Sequence, residues 1–199
     1  MSSTIVPIVE GYSETESVPV LLRRLRDELA RASTVEIARP YRISRYGAVR
    51  PGALERAVEQ AARDRPGAAA VLVILDADDD CPAVLGPELQ RRAAGATGLP
   101  VSVVLANREF KGWFLGAKES LRTKRGISQD ACAPPDPEAI RGAKERLSDN
   151  MVGGRRYLEV DDQPAFAAMM DLRQARAHCP SFDKLCREIE RLVQAIEGH

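Results

Sequence analysis

The chain has 199 residues, a length that suits one domain, and 44% of them are hydrophobic, which is enough to bury a core and excludes a disordered chain. The 29 basic and 29 acidic residues give zero formal net charge, so the overall charge does not indicate a nucleic-acid-binding protein, although a local basic patch would suffice for one. No apolar run reaches the length of a membrane-spanning helix. The amino-terminal stretch lacks the basic region of a signal peptide, so we expect a cytoplasmic protein.

Cysteine and histidine usage excludes further kinds of site. The four cysteines form no CxxC pair and match no zinc-ligand spacing, which is typical of reduced thiols in a cytosol. Only two histidines occur, His178 and His199. This scarcity argues against a Ser-His-Asp triad and against a histidine-rich metal site.

Strands and helices are predicted to alternate through the first 121 residues. The predicted elements are a strand over 4–9, a helix from residue 15 or 17 to 29, a strand over 35–43 interrupted at Pro40, a helix over 51–65, a strand over 69–75, a helix over 87–94, a strand over 100–106 and a helix over 110–121. The first helix has a candidate capping box in Ser13 and Glu16, and the late start keeps Pro19 in its first turn. The alternation predicts an α/β fold with a mostly parallel central sheet flanked by helices.

The last third of the chain is predicted to be helical. A proline-rich joint over 132–138 opens a helix that runs to about residue 147, residues 149–163 are irregular, and two more helices cover 164–177 and 181–197. We therefore expect an α/β core over residues 1–121 and a mainly helical C-terminal extension over 122–199 that packs on the core.

Four aspartates follow the most apolar predicted strand, in the stretch "VLVILDADDDC". Ligands of open parallel sheets bind beyond the carboxyl ends of the strands, which is where Asp76, Asp78, Asp79 and Asp80 are expected. Clustered carboxylates repel each other unless a cation neutralises them, and magnesium prefers oxygen ligands. Because residues i and i+2 of an extended segment point the same way, Asp76 and Asp78 are predicted to share one ion. A solvated aspartate-rich turn is the alternative.

Two glutamates near the first strand extend this acidic pattern. Glu10 directly follows the strand, so it faces the aspartates if the first and third long strands are neighbours. Glu14 lies four residues further on. Both also suit the start of a helix, where the helix dipole alone favours negative charge.

The acidic residues carry a resemblance to Toprim domains. Val9-Glu10-Gly11-Tyr12-Ser13-Glu14 resembles the VEGxTE signature of the overcoming-lysogenization-defect nucleases, with serine in place of threonine. The stretch "LDADDD" resembles the matching DxDxD element, carried by Asp76, Asp78 and Asp80. The resemblance implies a Toprim-like fold.

A second resemblance covers nearly the whole chain. The sequence resembles a bacterial Toprim-like family labelled a domain of unknown function (family 4276). It does so in the VEG start, in Cys81-Pro82 after the acidic loop, in "ANREFKGWFLGA" over 106–117, in Asp162-Gln163 and in "PSFDKL" over 180–185. The family usually has an acidic residue where this chain has Lys111.

The Toprim resemblance implies Mg²⁺ (or Mn²⁺) chemistry on phosphate esters. Glu10, Asp76 and Asp78 would hold the ion and carry the reaction, Glu14 and Asp80 would complete a second metal site, and Glu109 would be a further ligand. A cationic side chain is expected to stabilise the transition state. The candidates are Arg108, Lys111 and Lys144, between which the sequence does not decide; of these we place Lys144 among the expected catalytic residues.

Two functions follow as hypotheses. The first is a Mg²⁺-dependent nuclease or related phosphoryl-transfer protein that acts on DNA or RNA. By analogy with Toprim proteins it works with an ATPase in anti-phage defence, and that ATPase would be a separate chain because no GxxxxGK[ST] loop occurs here. The alternative is a non-catalytic subunit that binds metal or protein. Phe110, Trp113 and Phe114 are interpreted as core residues rather than as a base-stacking platform.

Overall fold

The apolar segments of the chain form a parallel sheet with helices on both faces. A computed structural model of the protein describes residues 2–198, so Met1 and His199 lie outside the described residues. The strands are β1 (Thr4–Val9), β2 (Glu36–Ile37), β3 (Tyr41–Arg42), β4 (Ala68–Asp76) and β5 (Val101–Ala106). The helices are α1 (Glu14–Leu29), α2 (Arg45–Val49), α3 (Ala53–Asp64), α4 (Pro82–Ala94), α5 (Gly112–Gly116), α6 (Ala143–Ser148), α7 (Glu159–Met169), α8 (Leu172–His178) and α9 (Pro180–Glu197), with 3-10 turns at Lys118–Leu121 and Pro137–Ala139.

The sheet has the strand order β2-β1-β4-β5, and β3 also pairs with β1. Every pairing is parallel. Alternate residues of each strand face opposite helical layers: Leu72 and Ile74 pack with α1 and the C-terminal helices, whereas Val71 and Val73 pack with α3 and α4. Burial on both faces explains why β4 is apolar along its length. The predicted α/β class with a parallel sheet and a helical C-terminal region is confirmed.

Two prolines explain why the second predicted strand is split into β2 and β3. β2 pairs with Thr4 and Ile5, and β3 pairs with Ile8 and Val9. The carbonyls of Ile5 and Val9 accept hydrogen bonds from the segment that contains β2 and β3. Pro7 lies two residues from each of them, so its backbone groups point toward the same segment. Pro7 has no N–H to donate, and it lies where Pro40 interrupts the partner strand.

The opposite edge of the sheet is covered by side chains. The Val103 N–H of β5 donates to Gln90 Oε1 at 2.7 Å, and the Val101 carbonyl accepts from Gln90 Nε2 at 3.0 Å. Arg191 of α9 also donates to the Val101 carbonyl, at 2.7 Å. Backbone groups that a further strand would pair with are therefore occupied.

Several predicted helix starts are wrong. The first helix begins at Glu14, which places Pro19 inside the helix, and Ser13 makes no capping hydrogen bond through its side chain. α4 begins at Pro82 rather than at residue 87, because proline suits the first turn of a helix. The short helix α2, which separates β3 from α3, was not predicted.

The helices after β5 are shorter than predicted. The segment 110–121 forms only α5 and a 3-10 turn, and Gly116 lies so close to Cys179 of the C-terminal region that a larger side chain would collide with it. The segment 132–147 is interrupted at Gly142, whose φ of +67° breaks the helix before α6. The predicted helix over 164–177 begins earlier, at Glu159, and splits into α7 and α8 because Asp171 accepts the Arg173 and Gln174 N–H groups.

The C-terminal helices share a core with the sheet. Trp113 is fully buried and packs against Phe110 and Phe182, with ring centroids 4.6 and 5.3 Å away. The interpretation of Phe110, Trp113 and Phe114 as core residues is confirmed. No helix within residues 2–198 has the length and apolar character needed to cross a membrane.

Candidate functional site

Three carboxylates lie together at the carboxyl edge of the sheet. β1 and β4 are neighbours, so Glu10, which follows β1, and Asp76, the last residue of β4, lie at the same end of adjacent strands, close enough for the Glu10 charge to act on the Asp76 pKa. Glu14 opens α1 directly after them. Burial raises the Asp76 pKa to about 8, and the charges of Glu14 and Glu10 act in the same direction. We call Glu10, Glu14 and Asp76 the inner cluster.

Asp76 is held by the loop that follows β5. The Phe110 N–H donates to Asp76 Oδ1 at 2.7 Å, which partly offsets the cost of burying the carboxylate. The neighbouring Lys111 also lowers the Asp76 pKa, through its charge. At neutral pH this carboxyl is nevertheless largely protonated in the absence of a cation.

Glu10 has an unsatisfied oxygen. Its Oε2 is buried and has no hydrogen-bond partner among the described residues. Burial is the largest cause that raises the Glu10 pKa; the negative charges of Asp78 and Glu14 add to it, and the backbone amide of Arg45 opposes it. Buried oxygens are rarely left without a partner, so this atom is free to accept a ligand.

Glu14 is nearly buried and fixed from two sides. The Gly11 N–H donates to its Oε2, and any side chain larger than hydrogen at residue 11 would collide with that carboxylate. From α7, Gln163 Nε2 donates to Glu14 Oε1 at 3.4 Å and to Ser17 Oγ at 3.1 Å. Tyr157 in turn donates to Gln163 Oε1 at 3.3 Å. A residue of the C-terminal region thus orients a carboxylate of the sheet edge.

Arg45 neutralises two of the three aspartates beyond Asp76. Its guanidinium donates to the Asp76 and Ala77 carbonyls at 2.8 and 2.7 Å. It also forms ion pairs with Asp78, at 3.2 Å, and with Asp80. Asp78 has a φ of +51°, so the segment is not extended at this residue, contrary to the backbone geometry that the sequence prediction assumed; that Asp76 and Asp78 share one ion stays a prediction.

The remaining acidic candidates have other partners. Glu109 Oε1 accepts the Gly142 and Ala143 N–H groups at 2.8 and 3.2 Å, so it caps α6. Asp79 forms ion pairs with Arg108, at 3.3 Å, and with Arg141. These residues border an open cavity of about 410 Å³ whose lining is Asp78, Asp79, Arg108, Glu109, Arg141 and Gly142.

Of the three cationic candidates, Lys111 is the one associated with the inner cluster. Burial lowers its pKa, but the charges of Asp76, Glu159 and Glu14 outweigh burial and raise the pKa overall. Its Nζ lies 3.5 Å from Glu159 Oε1. Lys144 is half-exposed and its ion pair is with Glu159 as well, at 3.6 Å. Arg108 instead faces Asp79.

The inner cluster offers the ligand atoms that a divalent cation needs, but they do not surround a common position. Carboxylate oxygens suit Mg²⁺, and the unpartnered Glu10 Oε2 is such an atom. Within residues 2–198, however, no three Asp, Glu, His or Cys side chains form a group that could hold a metal ion. Cation binding would therefore require Asp78 or Asp80 to leave Arg45, or Glu14 to rotate.

Two residues of the site were not assigned roles from the sequence. Arg45 was missed because α2 was not predicted; its position just after an apolar stretch that ends a strand is the available signal. Gln163 was noted only as part of a motif, because its contacts with Glu14 and Ser17 span 149 and 146 residues. No local pattern reveals such a contact.

Replacing Arg45 with glutamine is expected to lower the free energy of unfolding by about 2 kcal/mol, because two carbonyls and two carboxylates are then left without a charged donor. Urea denaturation measures this change. Arg31→Gln, at an exposed arginine just beyond the end of α1, is the matched control and should change stability by less than about 0.5 kcal/mol. Equal values for both variants would show that Arg45 does not anchor the acidic loop.

Comparison with known proteins identifies the family alone. The model of a family described as "Domain of unknown function (DUF4276)" matches residues 9–190, a span that runs from the end of β1 through most of α9. No significant match was found among curated proteins or solved structures. The chain therefore belongs to the DUF4276 family.

Proposed function

We propose that this protein is a divalent-cation-dependent phosphoryl-transfer protein of the nuclease type, acting on nucleic acid at the carboxyl edge of its sheet. The observation that carries the proposal is the inner cluster: Glu10 and Asp76 lie at the carboxyl ends of two adjacent parallel strands, Glu14 opens the next helix, and one oxygen of Glu10 is buried without a partner among the described residues. Structural carboxylates in such a position are normally paired, whereas a cation-binding site leaves ligand atoms free.

The resemblance to Toprim domains supports the same function. The matching residues are Glu10-Gly11 after β1 and the aspartates after β4, and the sheet brings the ends of these two strands together. Mg²⁺ or Mn²⁺ bound there would polarise a phosphate oxygen and lower the pKa of a water molecule. Glu10, Glu14 and Asp76 would be the ligands, with Asp78 and Asp80 available once Arg45 releases them.

Two of the protein's own residues would determine the protonation and charge of the site. Asp76 carries a proton up to about pH 8, and a cation must displace it, so cation affinity is expected to rise with pH over that range. Lys111 lies in the field of Asp76 and Glu14 and would balance charge that develops on a phosphoryl group. This role replaces Lys144 with Lys111 as our preferred cationic residue.

A non-catalytic subunit is the second candidate function. The observation in its favour is that Arg45 already neutralises Asp78 and Asp80, while the described residues contain no group able to hold a metal ion as they stand. Such a subunit would use the acidic edge to bind another protein. A separately encoded ATPase, in an anti-phage defence system, is the partner that the Toprim analogy suggests.

Titration with Mn²⁺ distinguishes the two functions. We expect calorimetry or electron paramagnetic resonance to detect saturable Mn²⁺ binding by the native protein. The Asp76→Ala/Asp78→Ala variant should show no such binding. The same protein should then cleave labelled oligonucleotides with Mg²⁺ but not with EDTA, and the variant should not. Equal, weak Mn²⁺ binding by both proteins, together with no cleavage, would contradict the enzyme and favour the partner subunit.

A further inference from the structure

Two exposed tyrosines lie beside the acidic site, each beneath an arginine. The chain has four tyrosines, and Tyr12 and Tyr46 are each 65% exposed. The Arg42 guanidinium carbon is 5.6 Å from the centre of the Tyr12 ring, and that of Arg50 is 3.8 Å from the centre of the Tyr46 ring. Large aromatic rings left this exposed offer flat apolar surface for a ligand.

The charge of this region is unbalanced, although the charge of the whole chain is not. Residues 38–54 contain four arginines and no Asp, Glu or Lys. Arg45 forms ion pairs with two aspartates of the loop after β4. Neither Arg42 nor Arg50 forms an ion pair with an acidic residue in the part of the chain that the structure describes. Their charge is therefore available to a negatively charged partner.

The fold places these residues next to the inner cluster. Tyr12 lies two residues after Glu10. Arg42 ends β3, which pairs with the carboxyl end of β1, and Ile43 N–H donates to the Val9 carbonyl at 2.9 Å. Tyr46 follows Arg45, whose guanidinium contacts the loop after β4. We call Tyr12, Arg42, Tyr46 and Arg50 the Tyr–Arg face.

We propose that the Tyr–Arg face binds single-stranded nucleic acid and leads it to the carboxyl edge of the sheet. Unpaired bases stack on exposed tyrosine rings, and guanidinium groups bind phosphates while they remain over the rings. A duplex hides its base faces, so the exposed rings favour a single strand. The aromatic residues of α5 cannot take this role, because they are buried in the core. The inference rests on the proposed function in taking nucleic acid as the substrate.

Fluorescence anisotropy with a labelled single-stranded oligonucleotide of about 20 nucleotides, in EDTA, tests the proposal without cleavage. We expect Tyr12→Ala/Tyr46→Ala to weaken binding at least about tenfold, whereas Tyr12→Phe/Tyr46→Phe, which keeps both rings, should bind like the native protein. Arg42→Gln/Arg50→Gln should reduce the slope of log affinity against log salt by about 1.4, which is about 0.7 for each phosphate that an arginine no longer neutralises. The control Arg31→Gln should leave both quantities unchanged.

The inference is overturned if the native protein does not bind the oligonucleotide at low salt, if the alanine variant binds as tightly as the native protein, or if a duplex of the same sequence binds more tightly. Failure of the proposed function gives a different result. Strand binding that depends on the Tyr–Arg face, without Mn²⁺ binding or cleavage, would support this inference and contradict the enzyme. Mn²⁺ binding at the inner cluster without strand binding would overturn this inference alone.

Discussion

Replacing Asp76 with asparagine is expected to flatten the pH dependence of stability and to lower any cation-dependent hydrolysis at least about 100-fold. Asparagine keeps an oxygen for the Phe110 N–H but carries no charge. It therefore removes one ionisable group from the inner cluster while leaving the local hydrogen bond in place. Metal-free protein in EDTA separates the effect on stability from the effect on cation binding.

The sign of the stability effect follows from the Asp76 pKa. This carboxyl loses its proton near 3.8 in the unfolded chain and near 8 in the folded protein, chiefly because it is buried. Between these values the folded state binds the extra proton, so the free energy of unfolding falls as pH rises, by up to about 1.4 kcal/mol per pH unit. Above about pH 8 this decrease is complete.

Urea denaturation between about pH 5 and pH 9 measures the difference between native protein and variant. We expect Asp76→Asn to be the more stable of the two at the alkaline end, with a gap that narrows toward acid pH. Asp130→Asn, at an exposed aspartate, is the control and should follow the native curve. Parallel curves for the native protein and Asp76→Asn would show that Asp76 does not titrate abnormally.

Replacing Asp162 with alanine is expected to destabilise the protein by about 2–3 kcal/mol. The Asp162 side chain is fully buried, and it forms ion pairs with Arg125 at 3.0 Å and with Arg155 at 2.5 Å. Its other oxygen accepts the Leu158 N–H at 2.9 Å, at the start of α7. Alanine would leave two partly buried guanidinium groups and one amide without their acceptor.

The adjacent residue provides a matched control for this prediction. Asp161 is exposed on the same turn of α7, so Asp161→Ala should cost less than about 1 kcal/mol. Urea denaturation compares the two, and the fluorescence of the single Trp113 follows unfolding. Because α7 also carries Gln163, which contacts Glu14, we expect Asp162→Ala to weaken the proposed Mn²⁺ binding as well. Similar costs for both variants would mean that the buried ion pairs contribute little.

The strands could be predicted from the sequence because their signal is local. An uninterrupted apolar run identifies β4 and β5, and Pro40 marks the break between β2 and β3. The prediction that Glu10 and Asp76 lie near each other depended on one assumption, that β1 and β4 pair. The sequence leaves this pairing open, and the structure shows it. The acidic residues at the strand ends are therefore the most predictable part of the candidate site.

The helices after β5 and the partners of the acidic residues depend on distant contacts. α5 ends at Gly116, which packs against Cys179. The first turn of α7 contains Asp162, which forms ion pairs with Arg125 and Arg155. Likewise, an aspartate in the sequence does not reveal whether a metal ion or Arg45 will neutralise it. Local patterns indicate which residues are chemically able to form a site, whereas long-range packing decides which of them meet.

The interrupted strand at one edge of the sheet has a consequence for self-association. Edge strands with several free backbone groups in a row act as templates for a second chain and promote aggregation. β2 and β3 each contain two residues and are separated by Pro40, so neither offers a continuous ladder. At the other edge, Gln90 and Arg191 occupy backbone groups of β5. A sheet this apolar is thereby protected from joining its counterpart in another copy at the high local concentrations reached during synthesis.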